Sequence, residues 1–139
     1  MHPVPLYLPA ALHAALWTHV RQDPEREQLG ALGGVQRGPA WVVRTLYPLA
    51  NIAPDPRREY LADPGQLLRA LKAMRAEGLN LVGLYHSHPR GPETPSATDL
   101  RLAAYPVPYL IADLSRSALR AYLLPGAHEV PVHITDGPA

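Results

Sequence analysis

The stretch Leu79-Asn80-Leu81-Val82-Gly83-Leu84-Tyr85-His86-Ser87-His88 is an apolar run that ends on two histidines, and Pro89-Arg90-Gly91-Pro92-Glu93-Thr94-Pro95 carries the chain from it to Ser96-Ala97-Thr98-Asp99. Residues 79–85 read as a short strand that runs straight into His86. The Gly/Pro-rich segment from Pro89 to Pro95 reads as a loop. Ser96 is a good N-cap for a helix that fades before Pro106, and Ser96-x-x-Asp99 has the spacing of a capping-box relative. In extended backbone, residues two apart point to the same side. His86 and His88 can therefore offer two imidazoles to one point, and Asp99, in the first turn of the following helix, can add a carboxylate. A strand, a return loop and a helix in this order make an α/β arrangement the natural reading.

Working outward, the N-terminal part reads as a short strand over 4–8 and a helix over 9–20, whose Leu12, Ala15, Leu16 and Val20 recur at helical spacing. Gln22-Asp23-Pro24 breaks it. Glu27 to Val35 is apolar and Gly-bearing, which suits a buried strand with glycines where another backbone or a ligand comes close. Gly38-Pro39 reads as a hairpin turn into a β-branched and aromatic strand over 40–49, with Trp41 and Tyr47 as core or sheet-face residues. Residues 51–57 form a Pro-punctuated loop, and 58–61 add a short strand. Asp63-Pro64 starts a helix with the apolar face Leu67, Leu68, Leu71 and Met74, and Gly78 ends it. Three closing strands are expected over 108–112, 118–124 and 130–134. The fold class is mixed α/β, a single domain over residues 1–139 with its core over about 4–134, with about seven strands and three helices.

Composition narrows the chemistry. The chain has no Cys, which removes disulfides, thiolate zinc sites, Fe–S clusters and cysteine nucleophiles, so a catalytic metal must be held by His and carboxylates. Thirteen basic and 12 acidic residues leave a formal charge of +1, which gives no electrostatic footprint for nucleic acid. No apolar run reaches the roughly 18 residues a membrane span needs, and no signal peptide precedes the first strand. The cytoplasm is the default compartment. His, His and carboxylate with water in the last position is the pattern of a catalytic zinc, which polarises a carbonyl and brings bound water to a pKa of about 7. The other histidines (His2, His13, His19, His128 and His133) have no partner at ligand spacing and read as surface or structural residues.

His-x-His-Pro, seven residues, then Ser-x-x-Asp is complete here as His86, His88, Pro89, Ser96 and Asp99. With Val82-Gly83 before it, this segment resembles the signature of the JAMM/MPN+ (Mov34/PAD-1) metallopeptidases. Glu27-Gln28-Leu29-Gly30-Ala31-Leu32-Gly33-Gly34 resembles the family's upstream Glu-x-x-Gly followed by a small apolar run. The resemblance covers nearly the whole chain. It implies a mixed sheet flanked by helices in a cytidine-deaminase-like three-layer arrangement. It also implies Zn2+ on His86, His88 and Asp99, with Glu27 as general base and Ser96 as donor to the oxyanion. These roles make chemical sense: activated water needs a base that is not a ligand, and a developing oxyanion needs a preplaced donor. Two other acids stand near. Glu25 would share the face of Glu27 if the strand started early, although the x-x-Gly spacing favours Glu27, and Glu93 in the motif loop reads as a solvated carboxylate.

The resemblance further implies hydrolysis of the amide bond after the C-terminal tail of a ubiquitin-like or β-grasp sulfur-carrier protein. An extended Gly-Gly tail can lie along a strand edge and reach a recessed metal. With 139 residues the chain is similar to the compact prokaryotic members, and its substrate is expected to be small and single rather than a polymer. Leu29 is a departure, because many relatives carry Cys or another small residue there, and it bears on the tail groove rather than the metal. Other readings remain beside this one. The domain could be a non-catalytic MPN-type scaffold, or a RadC-like member of the superfamily, to whose loop residues 89–96 are similar. It could also be a cupin-like metal enzyme, against which the helix at 63–77 argues. The oligomeric state is left open.

Overall fold

The computed structural model describes residues 4–136. Its elements in chain order are β1 (Leu6–Pro9), α1 (Ala10–Arg21), β2 (Leu29–Arg37), β3 (Ala40–Leu49), α2 (Pro64–Ala76), β4 (Asn80–His88), α3 (Ala97–Leu102), β5 (Tyr109–Asp113), β6 (Ala118–Leu123), β7 (His128–Val130) and β8 (Val132–Thr135). The strands form one mixed sheet in the order β7-β6-β5-β4-β2-β3-β1-β8. β2 and β3 are the expected hairpin, turned at Gly38 with a φ of 58°, and β4 lies between β2 (antiparallel) and β5 (parallel). The strand that carries both histidines is thus hydrogen-bonded along both edges.

Alternation along β2 sends its side chains to two cores. Leu32 joins Leu16, Trp17 and Val20 of α1, with Val43, Val82, Tyr85 and Leu110. Leu29 and Ala31 join Ala70 and Met74 of α2, with Leu49. Helices therefore cover opposite faces of the sheet, as the three-layer expectation required. Asp63 caps α2 by accepting from Gln66 N at 3.1 Å, with Pro64 in the first turn. Two β2 glycines sit at close approaches. A Cβ on Gly30 would fall on the Tyr85 ring, and one on Gly34 on the Val42 carbonyl, beside the bulge that interrupts both ladders.

Three expectations need correction. The segment expected as one strand over 130–134 is two strands, making eight among the described residues. Pro131 separates them, and its missing N–H cannot continue a ladder. β7 pairs with β6 at one end of the sheet and β8 with β1 at the other, so a single residue links the two ends and the sheet must curl round on itself. Leu6 N donates to Pro131 O at 2.8 Å at this junction. Second, residues 58–61 form no strand. They belong to an irregular loop closed at its neck by the Asn51–Ala62 bridge. Third, β2 starts at Leu29, so Glu27 precedes the strand instead of lying on it.

Candidate metal centre

β4 delivers His86 and His88 to the face of the sheet that also carries Leu29, which lies directly opposite His86 in the β2–β4 ladder. Asp99 arrives from the first turn of α3. Its N–H is accepted by Ser96 Oγ at 3.1 Å, and its Oδ2 accepts from Ser96 N at 2.9 Å, so the capping box is complete. The same carboxylate oxygen stands 3.1 Å from Nε2 of His86 and 3.1 Å from Nε2 of His88. The two Nε2 atoms are 3.2 Å apart. The capping box therefore aims the carboxylate: the helix start turns Asp99 towards both imidazoles.

Glu27 completes the group, with one donor atom of each of the four residues within 4.8 Å of the others. All four are buried, at 4% exposure for Glu27, 0% for His86, 6% for His88 and 4% for Asp99. The segment around Glu27 is pinned by backbone contacts. Glu27 N donates to Pro56 O at 2.7 Å, and Asn51 Nδ2 donates to Glu27 O at 2.8 Å. Next to it, Gln28 N donates to Ser87 Oγ at 2.9 Å, and Ser87 N donates to Gln28 O at 2.9 Å. Ser87 therefore ties the Glu27 segment to the strand of both histidines from the opposite side of β4.

These donors fit a small cation. His88 Nδ1 lies 2.6 Å from Pro92 O, an atom that can only accept, so Nδ1 carries the proton. In the neutral ring this leaves the Nε2 lone pair facing a carboxylate oxygen and a second imidazole, an arrangement that calls for a positive charge between them. Ligand atoms around tetrahedral zinc lie about 3.3 Å apart for bonds of about 2.0 Å, close to the triangle seen here. Glu27 Oε1 is buried with no hydrogen-bond partner.

The electrostatics agree. Burial raises the Glu27 carboxyl to about 7, and the neighbouring Asp99, Glu59 and Asp55 push the same way, against the pull of His88. A carboxylate poised there suits proton transfer. Burial works against the Asp99 charge, yet the hydrogen bonds from His86 and His88 hold its carboxyl well below the usual range. Burial depresses His86, whereas at His88 the bonds to Asp99 and Pro92 outweigh burial and raise it. Tyr60 stacks on His86 with ring centroids 4.2 Å apart and planes at 28°.

A cleft of about 580 Å3 opens over Glu27, His88 and Ser96 and is also lined by Arg57, Arg58 and Arg90. Leu29, Tyr60, Leu61 and Leu67 line a second, apolar hollow of about 290 Å3, whose lining includes none of the five expected site residues. Gly91 allows the motif loop to close: its φ is 71°, and a Cβ there would lie 2.6 Å from Asp113 Oδ2.

All five expected site residues converge. Glu25 is exposed and outside the ligand group. Glu93 is also outside it, but it is not the solvated loop carboxylate expected: its side chain is 17% exposed, with Oε1 3.9 Å from Arg120 Nε. His13 meets Trp17 Nε1, His19 meets Tyr85 OH, His133 stacks on Tyr7 and His128 is exposed, all as surface or structural residues, while His2 lies outside the described residues. Sequence reasoning does not single out Ser87, Asn51 or Tyr60. Ser87 has the strand alternation as a signal, since it must point away from both ligands, whereas nothing local marks the other two.

A buried His/His/carboxylate set beside a free acid, on a mixed sheet with helices on both faces, has the makings of a metal-dependent hydrolase. The chain belongs to the prokaryotic homologs of the JAB domain, whose family model matches residues 9–129, in agreement with the JAMM/MPN+ resemblance of its motif. It is 40% identical over 129 residues to a probable TtuB-protein conjugate cleaving protease of Thermus thermophilus, covering 93% of this chain and 82% of that one. It is 36% identical over 105 residues to a desampylase of Haloferax volcanii, covering 73% and 74%. The solution structure of protein DSY2949 from Desulfitobacterium hafniense superposes with a TM-score of 0.87 at 32% identity, covering 96% of this chain and 94% of that one. Among the described residues no helix is long and apolar enough to cross a membrane.

Proposed function

We propose that this chain is a zinc-dependent peptidase or isopeptidase of the cytoplasm that hydrolyses the amide bond after the C-terminal tail of a ubiquitin-like, β-grasp protein. The observation that carries this reading is the convergence of three ligand atoms at 3.1–3.2 Å beside an unpartnered buried carboxylate. The two relatives named above, a conjugate cleaving protease and a desampylase, support the substrate class. A non-catalytic scaffold would have no use for a complete ligand set and a base.

His86, His88 and Asp99 would hold the zinc, which when bound supplies a Lewis acid that polarises the scissile carbonyl and acidifies water. Glu27 takes a proton from the attacking water as the new carbon–oxygen bond forms. It then delivers that proton to the amine nitrogen as the carbon–nitrogen bond breaks. Ser96 Oγ already accepts from Asp99 N, which leaves its O–H free to donate to the developing oxyanion. Burial of the four residues keeps bulk water from competing for these contacts.

Ser96→Ala is expected to lower kcat about a hundredfold, the scale of a lost oxyanion donor, and stability by about 1 kcal/mol through the lost cap. Ser96→Thr restores both, as steady-state kinetics and thermal melts would show. The reading itself is tested by incubating the zinc-loaded protein with β-grasp proteins that carry C-terminal extensions or isopeptide-linked partners. Mass spectrometry should find a product ending on the last tail residue. If every such substrate stays intact while the protein holds stoichiometric zinc, the assignment fails.

A further inference from the structure

Asn51 lies in the loop between β3 and α2, and its side chain uses every hydrogen-bonding position it has. Nδ2 donates to Glu27 O at 2.8 Å and to Glu59 O at 3.1 Å. Oδ1 accepts from Ala53 N at 3.0 Å and from Leu61 N at 3.0 Å. A primary amide has two donors and two acceptor lone pairs, so this one is saturated by four backbone groups from three separate places. One is the residue that carries the candidate base. Two others flank Tyr60, whose ring lies on His86. The loop is further stitched by Ile52 N to Leu61 O at 2.8 Å and Asp63 N to Ala50 O at 3.1 Å, and its Pro56 O receives Glu27 N. The backbone on both sides of the Glu27 Cα is thus held by this loop, and one amide joins both arms of the loop to the Glu27 carbonyl.

We infer that Asn51 is a positioning residue that fixes the Glu27 carboxylate over the metal centre and, through the 59–61 segment, holds Tyr60 against His86. The inference rests on the proposed role of Glu27 for its catalytic consequence, but its structural half stands apart from that reading. No other side chain serves equally. Asp keeps the two acceptor contacts and loses both donations, Ser cannot span four partners, and Gln moves the amide outward by a methylene. Glu27 has no hydrogen bond on Oε1 to fix it from the other end, so its aim depends on its backbone anchor. Misplacement on the order of 1 Å at such a group costs up to about a hundredfold in rate.

The test uses Asn51→Asp as the near-isosteric variant and Asn51→Ser as a second, in the full chain. In the zinc-loaded enzyme Asn51→Asp should lower kcat at least tenfold with KM changed less than twofold and zinc still bound stoichiometrically, since the hydrogen bonds of Asn51 go to none of His86, His88 and Asp99. Amide hydrogen exchange gives a readout independent of turnover. Exchange at Glu27 should speed up at least tenfold in both variants, and at Leu61, whose acceptor on residue 51 an Asp would keep, in Asn51→Ser, while Ala31 and Leu110 in the sheet stay as in the wild type. A folded Asn51→Asp with unchanged exchange at Glu27 overturns the anchoring, whatever the activity. Faster exchange at Glu27 with unchanged kcat, in an assay that the Glu27→Gln control abolishes, overturns the catalytic consequence. If the wild type cleaves no substrate, the function fails and the exchange result still decides the anchoring.

Discussion

Replacing Glu27 by Gln should lower kcat by three orders of magnitude or more and leave zinc bound. The amide side chain has nearly the same volume as the carboxylate it replaces. The backbone anchors, Glu27 N to Pro56 O and Asn51 Nδ2 to Glu27 O, do not involve the side chain and survive the change. The ligand triangle of His86, His88 and Asp99 is therefore undisturbed. What disappears is the group proposed to take the proton from water and return it to the leaving amine. General acid–base catalysis typically contributes about 10²- to 10⁴-fold, and in the proposed mechanism one residue serves both transfers. Metal content measured on the purified variant, together with single-turnover kinetics, separates the roles. Zinc lost along with activity would make Glu27 a ligand, and activity kept would remove it from the chemistry. Glu25→Gln should change neither, because Glu25 is exposed and outside the group.

His88→Ala should abolish both turnover and the stabilisation that zinc confers. A ligand present at about a thousand times its Kd stabilises the folded state by about 4 kcal/mol. For a chain of this size that corresponds to a rise in Tm on the order of 10 °C. The wild type should show that rise on adding zinc and lose it with a chelator, and His88→Ala should show neither by scanning calorimetry. The effect has a sign with pH. His88 must shed its ring proton to ligate, and its bonds to Asp99 and Pro92 hold that proton above the usual imidazole range in the metal-free protein. Its bond to zinc is thus fully available only above that raised pKa, and proton competition should shrink the gain in Tm as pH falls through it. A zinc-induced rise that is the same at pH 5 and pH 8 would show that the metal sits elsewhere.

The pair His86 and His88 is legible in the sequence because a strand has a period of two, and Asp99 because a helix start has its own grammar in Ser96-x-x-Asp99. The helix at 64–76 is legible for the same reason, from Asp63-Pro64 and Gly78. Glu27 is marked by its spacing to Gly30, but its place just before β2 is not, since an apolar run does not show where the first ladder bond forms. The break at Pro131 carries a signal, a proline inside a strand-like run, which the apolar residues around it outweigh. Asn51 and Tyr60 leave no local trace. Their partners lie in the base segment and on the ligand strand, and no period relates an irregular loop to either. Glu93 departs from expectation because loop composition predicts solvent, whereas the fold brings Arg120 of β6 towards it.

The junction at Pro131 bears on how much open edge this small sheet offers to other chains. Its outermost strands have three and four residues and are successive pieces of one segment. Each therefore offers little unpaired backbone for another chain to zip onto, and a proline between them supplies no N–H to start. Under the proposed function the protein must accept one extended peptide at one place and refuse others everywhere else. With both rim strands this short, the cleft over Glu27, His88 and Ser96 is the place proposed for a foreign backbone.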